Sequence, residues 1–358
     1  MLAAPAAASH SSAYRNGEIA EGLALGDIVA PNGSPLAAAV ISSRSLEASL
    51  SFYVDCIGFD AGPVEVWRGA AFERWWALPA GSSARACLLT ANKMMVGRVL
   101  LLEFSGAQRG LIQAVPNSQA FGLLNLNFYT ADSRAAVARL RSLGFQFWTE
   151  PTQHSLNAGV GNPIEVIFDG PDGVAMNLVE LTSVDPNTRI GQMRAYVEKT
   201  GYTRQGFTPV VTTSHVARSV ERSCEFYSQI CGMGRLFEDL MTAEHVNAFL
   251  RLPAGGRTKI VFMQGNHMFG KVAISEPLNY QERCVDLQPM ARAPNIGYLA
   301  QIFEVRDLTR ALDAAERLGV QRVVSRIKSD VPGFGNCDQA MLRNPGSGAL
   351  IWLIEQSS

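Results

Sequence analysis

The feature that most constrains the fold of this chain is an internal repeat. Residues 36–58 read LAAAVISSRSLEASLSFYVDCIG, and residues 210–232 read VVTTSHVARSVERSCEFYSQICG. Phe52 recurs as Phe226 after 174 residues (226 − 52), and the same spacing separates the two occurrences of the tetrapeptide LPAG. A single spacing held over such a length indicates two copies of one structural module.

Each copy begins with small and β-branched residues, which predict a strand. Apolar residues then recur at helical spacing, at Leu46, Leu50, Tyr53 and Ile57. This spacing predicts an amphipathic helix, and the following Gly58 is a typical helix end. A second, related pattern of strand and helix covers residues 123–145 and returns at residues 298–320. The chain therefore contains four similar units.

The first unit also carries a family signature. A strand followed by D/S-L-x-x-S-x-x-F-Y-x-x-x-x-G-F resembles the βαβββ unit of the vicinal oxygen chelate (VOC) superfamily, which includes glyoxalase I, bleomycin-resistance proteins and extradiol dioxygenases. The matching residues are Ser45-Leu46, Ser49, Phe52-Tyr53 and Gly58-Phe59. The resemblance implies an α+β protein of two VOC modules. Each module would be a pair of βαβββ units that form a half-open barrel around a pocket.

We divide the chain into four parts on this basis. Residues 1–35, rich in Ala, Ser and Gly, are expected to form a flexible N-terminal arm. The first VOC module is expected at 36–183 and the second at 208–358, so that the units would pair in sequential order. Residues 184–207 carry no family motif and are interpreted as a connector with a helix-prone centre.

Composition limits the partners that we expect. The formal net charge is −1, with 47% hydrophobic and 18% charged residues, so there is no basic excess that would favour nucleic acid or an anionic membrane surface. The six cysteines show no C-x-x-C spacing, which favours reduced thiols and a cytoplasmic protein. We expect a small-molecule substrate and no binding to nucleic acid or membranes. Whether the protein forms a homodimer is left open by the sequence.

The resemblance also defines where a metal would be bound. Family members that use a metal place His and Glu ligands on the first and last strands of the units. Here the first-strand positions carry Ala38, Asn125, Thr212 and Ala300, and the late Glu positions carry Asn177 and Trp352. Divalent transition metals prefer imidazole and carboxylate donors, which are missing at these positions. We therefore expect no metal and no other cofactor.

Polar residues at pocket-facing positions are the candidate functional residues. We assign a catalytic role to Glu103, Asn125 and Asn177. A carboxylate among apolar neighbours can act as a general base, and amides can donate to a developing oxyanion. We assign substrate binding to Asn127, His154, Thr212, Glu276 and Trp352.

Three functions remain open at this point. The first is an enzyme that acts on a small aromatic or carbonyl-bearing compound by metal-independent proton transfer, such as a lyase or isomerase. The second is a binding or sequestration protein of the bleomycin-resistance type. The third is an extradiol-type ring-cleaving dioxygenase with atypical ligands. The chain length favours the enzyme, because the binders of this family typically have one module per chain.

Overall fold

The computed structural model describes residues 29–154 and 159–356, and these residues form two nine-stranded sheets with a layer of helices between them. Most of the predicted arm at 1–35 lies outside the described residues. Among the described residues, no helix has the length and apolar character needed to cross a membrane. The architecture confirms the predicted α+β fold of two VOC modules.

The first two units occupy the N-terminal half. The first unit consists of β1 (Leu36–Ser42), α1 (Leu46–Leu50) with a π-helical turn (Ser51–Ile57), β2 (Asp60–Ala61), β3 (Glu65–Arg68), α2 (Ala70–Trp76), β4 (Ser83–Thr90) and β5 (Arg98–Ser105). The second unit consists of β6 (Ala120–Thr130), α3 (Ser133–Ser142), β7 (Thr152–Gln153), β8 (Ile164–Asp169) and β9 (Ala175–Glu180). The predicted connector contains α4 (Arg189–Thr200).

The C-terminal half repeats the arrangement. The third unit consists of β10 (Thr212–Val216), α5 (Val220–Ile230), β11 (Gly234–Met241), α6 (Glu244–Phe249), β12 (Thr258–Gln264) and β13 (Lys271–Pro277), followed by the short strand β14 (Val285–Asp286). The fourth unit consists of β15 (Gly297–Glu304), α7 (Leu308–Arg317), β16 (Arg322–Val331), β17 (Gly335–Arg343) and β18 (Leu350–Gln356).

The units do not pair in the sequential order that we predicted. The first sheet has the strand order β16-β17-β18-β15-β1-β5-β4-β2, with β3 on β4, and so joins the first and fourth units. The second sheet has the order β11-β12-β13-β10-β6-β9-β8-β7, with β14 on β6, and joins the second and third units. Residues 36–183 and 208–358 therefore each contribute half of both sheets, and the prediction of sequential pairing is wrong.

The first strands of the paired units run antiparallel at the centre of each sheet. Ala39 lies opposite Gln301 in the first sheet, and Asn127 lies opposite Thr212 in the second. Units that are adjacent in sequence meet instead through the helix layer. The rings of Phe52 and Phe168 are 6.2 Å apart.

Every unit begins its helix in the same way. The N-cap side chains of Ser45, Asp132, Ser219 and Asp307 each accept a hydrogen bond from a backbone N–H three residues later. This is the arrangement that short Ser and Asp side chains favour at helix starts. A Glu from the last strand of the same unit accepts a second one, and these residues are Glu103, Glu180, Glu276 and Glu355.

Candidate functional site

A cavity of about 320 Å³ lies on the concave face of the second sheet. The strands β6, β8, β9, β10, β12 and β13 form its floor and sides, α6 covers it, and α4 closes one end with Ile190 and Met193. Apolar side chains make up most of the wall. The polar groups that point into it include Asn125, Asn127, His154, Glu165, Asn177, Thr212, Ser214 and Lys271.

The concave face of the first sheet is filled by aromatic side chains. Trp352 on β18 is fully buried and stacks on Trp67, with ring centroids 5.9 Å apart and an interplanar angle of 11°. Trp75 and Trp76 from α2 contact the same Trp352 ring at 5.0 and 5.6 Å. These large side chains occupy the volume in which a ligand would otherwise lie.

The repeat explains why the second sheet keeps its cavity. The 174-residue spacing places α6 where α2 lies in the first unit, so that Phe249 corresponds to Trp75 and Leu250 to Trp76. Asn177 stands three residues before Glu180, as Trp352 stands three residues before Glu355. Smaller side chains at each of these positions leave space that the tryptophans fill in the other sheet.

The sheet register brings the predicted polar residues together. Asn127 on β6 lies beside Asn177 on β9 and opposite Thr212 on β10. Asn125 lies opposite Ser214, whose Oγ is 3.5 Å from the donating Nδ2 of Asn127. All of these residues alternate onto the concave face of their strands.

Three of the amide oxygens have no hydrogen-bond partner among the described residues. They are the Oδ1 atoms of Asn125, Asn127 and Asn177, and each of these residues is at most 7% exposed. The Nδ2 atom of Asn177 donates to Oε2 of Glu165 at 2.7 Å. Because a carboxylate oxygen can only accept a hydrogen bond, this contact fixes the orientation of the Asn177 amide. A buried acceptor without a partner is costly. The site is therefore arranged to receive hydrogen-bond donors.

Lys271 and Glu165 line the cavity and were not predicted from the sequence. Lys271 is the less expected of the two. Its side chain is buried and lines the cavity. Its Nζ donates to the backbone carbonyl of Met268 and lies 5.6 Å from the ring centroid of Tyr129. Burial lowers the pKa of Lys271 to about 7. The sequence does contain a signal for Lys271, because residues 97–104 (GRVLLLEF) match residues 270–277 (GKVAISEP). This match puts Lys271 at the position of Arg98.

His154, which we assigned to substrate binding, lies at the cavity wall. Its ring is 4.7 Å from that of Phe249, and His245 stacks on it at 6.2 Å. The Nε2 atom of His154 is buried without a hydrogen-bond partner among the described residues. His245 is more exposed and also lines the cavity.

Glu103 does not lie at the cavity, and the prediction that it faces the concave side is wrong. Its Oε2 accepts a hydrogen bond from the backbone N–H of Leu46 at 3.1 Å and forms an ion pair with Arg85. Leu100 and Leu102 pack into the tryptophan-filled core, so residue 103 belongs to the opposite, helix-facing side of β5. The carboxylate stabilises the start of α1.

Glu276 and Trp352 are also outside the cavity. Glu276 accepts from the backbone N–H of Val220 at 2.7 Å and so repeats the role of Glu103 at the start of α5. Trp352 fills the first sheet, as described above. Of the eight predicted site residues, the structure brings together the remaining five, which are Asn125, Asn127, His154, Asn177 and Thr212.

The residues at the metal-ligand positions of the family do not fit a transition-metal centre. In the cavity these positions carry Asn125, Asn177 and Thr212, with two amides and a hydroxyl in place of imidazole and carboxylate. In the first sheet, Ala38, Ala300 and Trp352 offer no ligand atoms. Across residues 29–154 and 159–356, no three His, Cys, Asp or Glu side chains come close enough together to hold a metal ion.

Comparison with known proteins supports the assignment of the fold. Residues 36–178 match the model of the Glyoxalase/Bleomycin resistance protein/Dioxygenase superfamily. No curated protein matches the chain.

Similar solved structures cover nearly the whole chain. Glyoxalase I from Zea mays is 14% identical with a TM-score of 0.55, and the alignment covers 90% of this chain and 92% of that one. A putative dioxygenase from Bacillus subtilis is 11% identical with a TM-score of 0.53, covering 92% and 87%. At such identities the similarity establishes the fold alone. Residues 36–178 carry a domain of the Glyoxalase/Bleomycin resistance protein/Dioxygenase superfamily, and the four units of the chain share the fold of these solved structures.

Proposed function

We propose that the cavity of the second sheet binds a small aromatic or carbonyl-bearing compound, and that the protein transfers a proton on it without a metal, as a lyase or isomerase does. The observation that carries this proposal is the set of three amide oxygens that have no hydrogen-bond partner among the described residues and lie in a cavity with a mostly apolar wall. Pockets of this kind, apolar with a few convergent polar groups, are the usual sites of small organic ligands.

Glu165 takes the role of general base in this proposal, in place of Glu103. It is the partly buried carboxylate on β8 that lines the cavity, and Asn177 Nδ2 holds it at 2.7 Å. Asn125 is assigned as the oxyanion donor, since its amide oxygen has no hydrogen-bond partner among the described residues and nothing there prevents the amide from presenting its N–H groups to the ligand. Proton abstraction next to a carbonyl combines a base that removes the proton with a donor that stabilises the developing oxyanion.

A hydrogen–deuterium exchange assay tests this chemistry. The protein is incubated in D₂O with a panel of aromatic ketones and aldehydes, and loss of the C–H signal beside the carbonyl is followed by NMR, with and without EDTA. We expect Glu165→Gln to slow exchange by about 10²–10⁴-fold while ligand binding is kept. Glu103→Gln, a carboxylate outside the cavity, is the matched control and should exchange normally.

The assay also separates the alternatives. Exchange that survives Glu165→Gln contradicts the role of this residue, and loss of exchange with EDTA contradicts metal independence. Tight binding without exchange or other turnover favours the binding or sequestration protein, for which the largely apolar wall of the cavity is the supporting observation.

A further inference from the structure

Lys271 is a buried cation without an anionic partner. It is 2% exposed, and no carboxylate of the described residues comes within 4 Å of its Nζ. Among the described residues, the Nζ atom donates one hydrogen bond, to the backbone carbonyl of Met268. An ammonium group has three N–H donors, so the protein uses only part of its hydrogen-bonding capacity. Lysine is seldom buried to this degree without a partner.

In the first sheet, the residue equivalent to Lys271 is Arg98, and its charge is neutralised by a glutamate. Arg98 stands five residues before Glu103, as Lys271 stands five residues before Glu276, and both residues are buried on the concave face of their sheets. Arg98 donates to Glu304 at 2.5 Å, and the two side chains are 2% and 5% exposed. A buried cation is stable there because the protein itself provides the anion.

In the second sheet, the position equivalent to Glu304 carries no carboxylate. Glu304 stands three residues before the N-cap Asp307, and the equivalent residue before Asp132 is Tyr129. Lys271 faces the ring of this tyrosine, whose hydroxyl is engaged with the sulfur of Met193. The partner that Arg98 finds in Glu304 is therefore missing in the unit that has an open cavity.

We propose that Lys271 is an anion-binding subsite and that the ligand of the cavity carries a carboxylate, which takes the place that Glu304 has in the first sheet. This inference rests on the proposed function, because it assumes that the cavity binds a small organic molecule. It adds the chemical class of that molecule: an aromatic or carbonyl-bearing acid, with the acid group at Lys271 and hydroxyl or N–H groups at the amide oxygens of Asn127 and Asn177.

The surroundings of Lys271 predict how binding depends on pH. The other titratable groups that line the cavity are Tyr129, His154, Glu165, Asp239 and His245. His267 lies behind them, and its pKa is lowered to about 4 by burial, then by the charge of Lys271. Lys271 must be protonated to bind a carboxylate, and burial lowers its pKa to about 7. Affinity for carboxylates should therefore fall as the pH rises above 7, by up to about tenfold per pH unit.

Matched acid and amide probes test the inference directly. Benzoate and benzamide, 2-naphthoate and 2-naphthamide, and cinnamate and cinnamamide differ in charge but hardly in shape, and their binding is measured by titration calorimetry. We expect the wild-type protein to prefer the acids at pH 6. Lys271→Met should weaken acid binding by roughly 10–100-fold, as expected for a charge-assisted hydrogen bond, without weakening amide binding.

Two further variants guard against a general loss of structure. Tyr129→Glu places a carboxylate beside Lys271, as Glu304 lies beside Arg98 in the first sheet. This variant should abolish the preference for acids although Lys271 is still present. Lys328→Met removes an exposed lysine of the first sheet and should leave the preference unchanged. The thermal unfolding of each variant is compared with that of the wild type.

The outcomes differ for the two proposals. Equal binding of acids and amides, or a preference that survives Lys271→Met, overturns the anion subsite and leaves the proposed function standing. If the folded wild-type protein binds no member of any pair, the assignment of the cavity to such compounds fails, and the anion subsite fails with it.

Discussion

Polar residues between the two sheets form a connected hydrogen-bond network. The hydroxyl of Tyr227 donates to Gln301 Oε1 at 2.7 Å, and Gln301 Nε2 donates to Thr213 Oγ1 at 3.2 Å. Thr213 in turn shares a hydrogen bond of 2.6 Å with the hydroxyl of Tyr298. Because each of these buried groups has a partner, the helix layer tolerates them, and they fix one arrangement of the two sheets.

His215 is the residue in this layer whose ionisation should limit stability in acid. Its Nδ1 shares a hydrogen bond of 2.7 Å with Ser347 Oγ, and burial lowers its pKa to about 3. The unfolded chain, with a histidine pKa of about 6.5, gains the proton first. Stability is therefore complete above pH 6.5 and is lost as the pH falls toward 3, by up to about 1.4 kcal/mol per pH unit.

We predict that His215→Gln flattens this acid dependence. Between pH 8 and pH 5 the variant should lose about 2 kcal/mol less unfolding free energy than the wild type, as measured by urea denaturation. The glutamine can keep a hydrogen bond to Ser347, so the comparison isolates the titration. An identical pH dependence in both proteins would show that His215 does not titrate in this way.

At the scale of the element, the first helix of each unit is capped in the same way. Glu103, Glu180, Glu276 and Glu355 each extend from the end of a strand to the N-terminus of the helix in the same unit. A carboxylate satisfies a free N–H there and interacts favourably with the helix dipole. Glu180 adds a hydrogen bond of 2.7 Å from the hydroxyl of Ser133.

We therefore expect Glu103→Gln and Glu276→Gln to lower stability by about 1 kcal/mol each, with little effect on ligand binding in the cavity. Loss of the charge weakens the interaction with the helix start but leaves the side-chain shape. Thermal and urea unfolding measure the effect, with the exposed Glu225→Gln in the middle of α5 as the control. A loss of turnover in Glu103→Gln at unchanged stability would restore the catalytic role that we first assigned to it.

At the scale of the whole molecule, the two sheets have the same strand plan but different interiors. Trp67, Trp75, Trp76 and Trp352 fill the first sheet, and the smaller residues of the second sheet leave a cavity. One sheet can thus contribute stability through its packed aromatic core, and the other can hold a ligand. The pairing of units across the chain means that both sheets depend on both halves of the sequence.

We predict that Asn177→Trp fills the cavity of the second sheet, as Trp352 fills the concave face of the first sheet. The new ring would enter the cavity from the position that Trp352 holds in the first sheet, so probe binding should be abolished. Removal of the packed ring by Trp352→Ala should instead cost about 3–5 kcal/mol of stability and leave binding in the second sheet intact. Calorimetric binding and urea unfolding measure the two effects. Full ligand affinity in Asn177→Trp would exclude the cavity as the binding site.

The sequence by itself determined the four units and most of the polar site. The repeat of strand, capped helix and glycine is local and identified the four units, and the resemblance of this pattern to the VOC superfamily then implied the fold class. Asn125, Asn177 and Thr212 stand at ligand positions of the family that the resemblance identifies, and the structure places all three, with Asn127 and His154, at the cavity.

Only the tertiary structure decided which units pair, which face Glu103 takes and what Lys271 lacks. Four similar first strands can each pair with any other, since the backbone hydrogen bonds of a ladder do not distinguish partners. Strand β5 is apolar on both faces, so no alternation marked the side of Glu103. Lys271 becomes significant when its neighbour is known to be Tyr129, where the other sheet has a glutamate, because the charge of a buried residue depends on the groups that surround it.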